Sequence, residues 1–251
     1  RRYRRFRRGA RPGPRRILVL NPVLPCPPVD GGKQRVFHVI KALAERYEAK
    51  TGRKATLSLG STGKHYAQIV NGAPFDAFFA ADVERPELLE KEQRIQPGSR
   101  STYAFGSLAL WSREATLVDE AGKILERGDF RRLAIANPRL APYGRAAQQV
   151  LEGRGLWLSL QPRLVRGENI GQAFQFVASG NAELGFVALS QLIQSDRHKR
   201  GSMWRIPEDL YAPIEQQAVL LTQDPAAQAF MDFVQGEPAR AIIRAHGYGT
   251  P

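Results

Sequence analysis

Three junctions between an apolar strand-like run and a helical run combine glycines with neutral hydrogen-bond donors. They span residues 57–63 (LSLGSTG), 133–144 (LAIANPRLAPYG) and 164–171 (LVRGENIG). In an open parallel sheet, ligands bind outside the carboxyl ends of the strands. The helix N-termini at that edge carry unpaired N–H groups and a partial positive charge, and both favour an anion. The three junctions therefore predict an anion site that uses hydroxyl and backbone donors.

The donors in these junctions also have purely structural interpretations. Ser61 and Thr62 place hydroxyls ahead of a helix, where an oxygen caps the first N–H groups. Tyr143 can pack its ring and bond a nearby carbonyl, and Asn169 suits the cap position of a helix that begins at Ile170. Taken singly, the residues favour neither interpretation. Their recurrence at three junctions of one chain favours the anion site.

No catalytic arrangement competes with this interpretation. Ser190, in the stretch ALSQ, lacks the glycines of a nucleophile elbow, and the chain contains neither a Walker sequence nor a GxGxxG motif. The four histidines are scattered without the spacing of metal ligands. We therefore expect a protein that is not an enzyme and that holds neither a cofactor nor a metal cation.

The net charge of +13 is concentrated at one end of the chain. Residues 1–16, RRYRRFRRGARPGPRR, contain nine arginines and no acidic residue, and subtracting these nine from the 37 Lys and Arg residues leaves 28 against 24 acidic ones. Such a run of like charges predicts a disordered arm. Tyr3 and Phe6 within it also allow stacking on nucleic acid. The arm lacks the apolar region of a complete secretory signal peptide.

Apolar runs of strand length alternate with runs at helical spacing along the whole body of the chain. The first strand, at 17–20, is followed by a Pro/Gly loop at 21–32 and by a helical run from Lys33 to Lys50. Later strand runs lie at 55–59, 77–81, 108–111, 133–136, 163–166, 184–189 and 217–221. This alternation predicts an α/β protein with mostly parallel sheets flanked by helices.

Five long stretches of the chain resemble the molybdate-binding proteins of bacterial ABC importers. They are GSTGKHYAQIVNGAPFDAFFAAD, GSRSTYAFGSLALWS, LAIANPRLAPYGRAAQQVL, ENIGQAFQFVASGNAELGFVAL and FMDFVQGEPARAIIRAHGY. The resemblance extends over about residues 42–248. It implies a two-domain periplasmic-binding-protein fold of type II with a ligand cleft between the domains. The crossover strands would lie near 103–111 and 214–221. The implied segments are a disordered arm at 1–16, domain I at 17–102 and 222–251, and domain II at 103–221.

The resemblance also implies a ligand and its binding residues. Thr62 matches the family's hydroxyl donor in the Gly/Ser loop, with Ser61 beside it, and Tyr143 in APYG matches the tyrosine of one branch. Ile170 matches a position that donates its backbone N–H, and Ala188 stands where some relatives carry a second tyrosine. The implied ligand is molybdate or tungstate. The implied partners are ABC permease subunits at the membrane, for a monomer located in the periplasm or cell envelope.

The N-terminal part departs from this family. Residues 15–43, RRILVLNPVLPCPPVDGGKQRVFHVIKAL, resemble instead the start of a group 1 (GT-B) glycosyltransferase. Asn21 is the polar candidate that would replace the family's first-loop donor, and Pro22 beside it has no N–H to donate. We therefore expect a normal fold with a weakened first wall of the site. Two alternatives remain at this stage: a fusion or remnant with a glycosyltransferase-like N-terminus, and a nucleic-acid-associated protein that binds through the arginine arm.

Overall fold

The computed structural model describes residues 16–20, 35–60, 62–197 and 200–251. The arm up to residue 15, the loop at 21–34 with Asn21, and Ser61 lie outside the described residues. The expectations that concern them, disorder of the arm and donation by Asn21 and Ser61, therefore stay predictions. Arg16, which was assigned to the arm, is the first residue of a strand.

Strands and helices alternate through the described residues, as the sequence predicts. The strands are β1 (Arg16–Leu20), β2 (Thr56–Gly60), β3 (Ala77–Phe79), β4 (Ser101–Gly106), β5 (Leu108–Ser112), β6 (Leu133–Ala136), β7 (Leu164–Gly167), β8 (Leu184–Ala188), β9 (Ser202–Arg205), β10 (Ile214–Leu220) and β11 (Tyr248–Gly249). The helices are α1 (Arg35–Thr51), α2 (Thr62–Val70), α3 (Glu84–Lys91), α4 (Ile124–Arg127), α5 (Pro142–Gly153), α6 (Trp157–Leu160), α7 (Ile170–Ala178), α8 (Leu189–Gln194), α9 (Pro225–Gln235) and α10 (Glu237–Ala245).

A six-stranded sheet has the strand order β11-β4-β10-β3-β1-β2. The strand β1 pairs in parallel with both β2 and β3, so the segment that departs from the family pattern still fills the middle of the parallel part. The strand β10 then pairs antiparallel with β3 and β4. One apolar face of α1 packs with α9, α10 and this sheet in a single core. The fully buried residues of that core include Ile40, Leu43, Phe79, Phe230 and Ile243.

A five-stranded sheet has the strand order β7-β6-β8-β5-β9. Its strand β6 is parallel to β7 and β8, whereas β5 is antiparallel to β8 and β9. All of β5, β6 and β8 are buried, which suits apolar strands covered on both faces. The helix α5 packs on one face with Leu108, Ile135 and Phe186. The helix α7 packs on the other face with Trp111 and Val187.

The chain passes from one sheet to the other at Ser107, between the end of β4 and the start of β5. Gly106 at this crossover pairs with Ile214 of β10 and with Tyr248 of β11. The pairings also place the C-terminal ends of β1, β2 and β3 at the crossover edge of the six-stranded sheet. The C-terminal ends of β6 and β7 lie at the crossover edge of the five-stranded sheet. The implied domain bounds stay a prediction.

The described helices contain no span that is both long and apolar enough to cross a membrane. The predicted elements differ from the structure mainly at their ends, and the structure adds elements that the sequence did not predict, namely α4, α6, α8, β9 and β11. The strand expected at 77–81 stops at Phe79, and that expected at 217–221 begins three residues earlier, at Ile214. The antiparallel crossover strands make both sheets mixed, since crossover strands run against their parallel neighbours.

Candidate functional site

Three helix N-termini lie at the two sheet edges that meet at the crossover. The helix α2 follows β2 on the six-stranded sheet, and α5 and α7 follow β6 and β7 on the five-stranded sheet. Because β6 and β7 are parallel neighbours with Ala136 opposite Gly167, the helices that follow them start from the same edge of the five-stranded sheet. These are the three junctions that the sequence singles out, and the topology directs all of them toward the crossover.

Thr62 is the first residue of α2, and its side chain is buried. Among the described residues, its hydroxyl oxygen Oγ1 has no hydrogen-bond partner. The interpretation of Thr62 as a simple helix cap is therefore wrong, because a capping oxygen accepts from a backbone N–H. A buried hydroxyl without a partner costs free energy. In a protein that binds ligands, such a group is a candidate donor to the ligand.

Tyr143 occupies the second position of α5 and is 8% exposed. Pro142 before it has no N–H, and Ala141 provides no side-chain cap, so the Tyr143 N–H of the first turn has no capping partner among the described residues. Gly144 allows α5 to begin against the end of β6: a Cβ on it would lie 2.7 Å from the carbonyl carbon of Asn137. This close approach places the start of α5 against the C-terminal end of β6.

The Tyr143 hydroxyl makes no hydrogen bond to a described residue, so the predicted bond to a nearby carbonyl is absent from the described part of the chain. Its ring packs with Leu108, Tyr211 and Ile214. Burial first, and then the neighbouring phenols of Tyr248, Tyr211 and Tyr103, raise the pKa of Tyr143 well above its usual value. The hydroxyl consequently stays a neutral donor, and it carries its proton throughout the neutral pH range.

Gly106 of the crossover lies directly under the Tyr143 phenol. A Cβ atom on Gly106 would lie 2.7 Å from Cζ of Tyr143, closer still to its hydroxyl oxygen, and 3.1 Å from Cγ2 of Ile214. The phenol thus occupies space that only glycine leaves open. Since Gly106 belongs to β4, Tyr143 joins a helix on the five-stranded sheet to the edge of the six-stranded sheet.

Asn169 caps α7, as one of the structural interpretations predicted. Its Oδ1 accepts from the N–H of Gln172 at 2.9 Å. The N–H groups of Ile170 and Gly171, ahead of that bond, are the orphan donors of the first turn. Gln191, which is buried, fixes this turn: its Nε2 donates to the carbonyl oxygen of Ile170 at 3.2 Å, and its Oε1 accepts from the Ala188 N–H at 2.9 Å.

Ser107 is a further residue at the crossover that the sequence reasoning did not single out. It is 2% exposed, and its hydroxyl has no hydrogen-bond partner in the part of the chain that the structure describes. Its backbone carbonyl accepts from the N–H of Leu189, which opens α8. The signal for Gly106 and Ser107 was present as a Gly-Ser pair inside the strand-like stretch YAFGSLALW, since glycine in a strand often marks a close approach.

The structure thus places three of the five proposed ligand residues. Tyr143 and Ile170 belong to one apolar cluster on the five-stranded sheet, and Thr62 lies at the facing edge of the six-stranded sheet. Ser61 and Asn21 lie outside the described residues. Ala188, at the position of a second tyrosine in some relatives, is buried and begins the turn into α8. The three described candidates offer neutral donors.

Comparison with known proteins gives a consistent family. The family model described as bacterial extracellular solute-binding protein matches residues 33–249. The chain is similar to the molybdate-binding protein ModA of Azotobacter vinelandii, with 51% identity over 213 residues that make up 84% of each chain. It is also similar to ModA of Rhodobacter capsulatus, with 45% identity over 213 residues, 84% of this chain and 83% of the relative.

The fold agrees with a solved structure of the same kind. The periplasmic molybdate-binding protein of Azotobacter vinelandii superposes with a TM-score of 0.73 and 41% identity, over 94% of this chain and 99% of that one. The expected fold class, a two-domain α/β periplasmic-binding-protein fold of type II, is thereby confirmed.

Proposed function

Since this chain belongs to the bacterial extracellular solute-binding proteins, and among them to the molybdate-binding proteins of ABC transporters, we propose that it captures molybdate and delivers it to a membrane permease. Members of this family are carriers, so the expectation that the chain is not an enzyme is confirmed. The proposal includes tungstate as a second ligand, because it has the same charge and tetrahedral shape.

The observation that carries the proposal is the set of unsatisfied neutral donors at the crossover edges. Among the described residues, the buried Thr62 hydroxyl has no hydrogen-bond partner and the Tyr143 hydroxyl makes no hydrogen bond. The N–H groups of Ile170 and Gly171 come before that of Gln172, which bonds the Asn169 cap. A ligand can accept a hydrogen bond from a donor that is unpaired in the folded protein without any internal hydrogen bond being broken first.

Neutral donors suit a tetrahedral dianion that must be both captured and released. A buried countercharge would have to be desolvated in the empty state, which costs several kcal/mol per ion on the order-of-magnitude scale for buried charges. Hydroxyls and helix N-termini stabilise the anion with partial charges instead. With no countercharge to match, selection among molybdate, tungstate and the smaller sulfate would depend mainly on the size of the site.

The proposed donor set is the Thr62 and Tyr143 hydroxyls and the Ile170 N–H, with Ser61 and Asn21 as further members on sequence grounds alone. We further propose that the protein acts as a monomer in the periplasm or cell envelope. The two alternatives, a glycosyltransferase-like remnant and a nucleic-acid-binding arm, depend mainly on residues before 35 and stay hypotheses.

Isothermal titration calorimetry of the purified chain tests this function. Molybdate and tungstate should each bind one site, whereas sulfate and phosphate should bind far more weakly. A folded sample that gives no binding heat with either metal oxyanion would refute the proposal. Equal affinity for sulfate would refute the size-based selection while leaving oxyanion capture in place.

A further inference from the structure

A cavity of about 350 Å³ lies at the end of the five-stranded sheet opposite the crossover. The described residues that line it are Trp111, Arg113, Ser195, Arg197 and Arg200. The strand β5 starts at the crossover and runs to Ser112, directly before Arg113. Five residues of extended strand, about 15 Å at the usual rise, therefore separate this cavity from the proposed oxyanion site.

The cavity is lined by three guanidinium groups whose positive charge no carboxylate among the described residues neutralises. None of its three guanidinium groups forms an ion pair with a carboxylate in the described part of the chain. The nearby Glu183 carboxylate is already engaged, because it accepts from Arg131 Nε at 2.9 Å and from the Arg132 N–H at 2.9 Å. Three unpaired cations around one concave surface repel one another and attract an anion.

Two aromatic rings contact the Arg197 side chain, and a hydrogen bond holds the backbone of Arg200. The Arg197 guanidinium carbon lies 5.8 Å from the ring centroid of Trp111 and 5.7 Å from that of Phe174, and these two rings stack with centroids 5.5 Å apart. Trp111 Nε1 donates to the carbonyl oxygen of Arg200 at 3.4 Å. These contacts hold the Arg197 side chain and the Arg200 backbone, whereas Arg113 and Arg200 are exposed, and a side chain fixed before binding loses less entropy on binding.

The next residue, Gly201, brings the loop back against the end of β5. It has a φ of +83°, and a Cβ on it would lie 3.1 Å from Cα of Arg113. A positive φ and this close approach both require glycine. Gly201 therefore places the residue before it, Arg200, beside the end of β5, and Arg113, Arg197 and Arg200 line the same cavity.

We propose that this cavity is a second anion site, which takes a compact ligand with two or more phosphate groups. The planar guanidinium group matches phosphate oxygens with paired hydrogen bonds. A cavity of about 350 Å³ also has room for more than one phosphate group. Either a free pyrophosphate-like anion or the phosphate groups of anionic lipid supply this chemistry, and the two sources are separable by experiment.

The test is calorimetric titration of the full chain with pyrophosphate, with and without saturating molybdate, at moderate salt. We expect binding in both conditions. The triple variant R113Q/R197Q/R200Q should lose at least tenfold in pyrophosphate affinity and keep its molybdate affinity. The matched control is R46Q/K50Q/R53Q, which removes three exposed positive charges from α1 and its C-terminal end. This control should leave pyrophosphate affinity unchanged.

Three results would overturn the proposal: no pyrophosphate binding by the wild-type chain, an equal loss in the control variant, or competition by molybdate at saturation. Competition by molybdate would mean that the heat of pyrophosphate binding comes from the oxyanion site. Co-sedimentation with phosphatidylcholine vesicles containing cardiolipin, whose headgroup has two phosphate groups, distinguishes the sources. Vesicle binding that requires the same three arginines indicates a lipid headgroup, whereas pyrophosphate binding without vesicle binding indicates a soluble ligand. The proposal does not depend on the oxyanion site, so failure of one leaves the other intact.

Discussion

The phenol of Tyr143 lies where a side chain on Gly106 would be, with Cζ 2.7 Å from the position of a Cβ on that glycine. Tyr143 belongs to a helix of the five-stranded sheet, and Gly106 ends a strand of the six-stranded sheet. The contact therefore couples the orientation of a proposed ligand donor to the crossover that joins the two sheets.

Substitution of Gly106 by alanine should displace the Tyr143 hydroxyl and weaken molybdate binding. A hydrogen bond to a charged partner contributes roughly 1.5–3 kcal/mol, so calorimetry should show a loss of about tenfold or more. In the G106A background, Y143F should cost little more, because both changes remove the same bond. Gly153→Ala is the matched control, since a Cβ there has no atom within 4 Å. Additive losses for G106A and Y143F would contradict this coupling.

The variant Y143F by itself removes one hydroxyl and keeps the ring. Because the hydroxyl makes no hydrogen bond to a described residue, the stability of the empty protein should be nearly unchanged. Molybdate affinity should fall about tenfold or more, on the same estimate for a bond to an anion. Denaturant unfolding and calorimetry on one preparation measure both quantities. An unchanged affinity would show that Tyr143 serves packing only.

The variant T62V should change affinity and stability in opposite directions. Valine keeps the shape of Thr62 but removes a buried hydroxyl that has no partner among the described residues, so the empty protein should gain about 1 kcal/mol in unfolding free energy. Molybdate affinity should fall. Thr102→Val is the matched control: Thr102 Oγ1 donates to Glu215 at 2.6 Å, so its loss should destabilise the protein. Destabilisation by T62V would mean that its hydroxyl is satisfied in the empty state.

Gln191→Met should loosen the first turn of α7. It removes the donor to the Ile170 carbonyl and leaves the Ala188 N–H without its side-chain acceptor. Loss of a buried partner costs about 1–3 kcal/mol of stability. Molybdate affinity should also fall, because the Ile170 N–H belongs to the loosened turn. Gln148→Met, on the exposed surface of α5, should change neither quantity by a comparable amount.

The raised pKa of Tyr143 predicts a specific loss of stability in alkaline solution. The folded-state pKa lies above the ordinary value of 10.0, mainly because of burial and then because of the neighbouring phenol of Tyr248. The stabilisation of the protonated form is complete below the unfolded pKa and is lost as the pH rises from there through the folded pKa. Urea unfolding above pH 10 should therefore show a steeper decline for wild type than for Y143F. Parallel declines would contradict the assignment.

Local elements of the fold were predictable because their signals lie within a few residues. The strand Leu133–Ala136 has the predicted bounds, and α7 begins at Ile170 behind its Asn169 cap, as predicted. Apolar periodicity and capping chemistry are properties of short segments. The ends of β3 and β10 differ from prediction, because pairing with neighbouring strands decides where a strand stops.

The amino-acid sequence alone indicates the α/β alternation, the three glycine-containing junctions and, through long matching motifs, the family. Tertiary packing establishes what surrounds those groups and which of them have no partner among the described residues. Gly106 meets Tyr143, Gln191 holds Ile170, and Arg113 shares a cavity with Arg197 and Arg200 across long separations in the chain. No periodicity encodes such pairs. They arise when burial of the apolar faces fixes the register of both sheets, and only then do distant hydroxyls, amides and guanidinium groups converge.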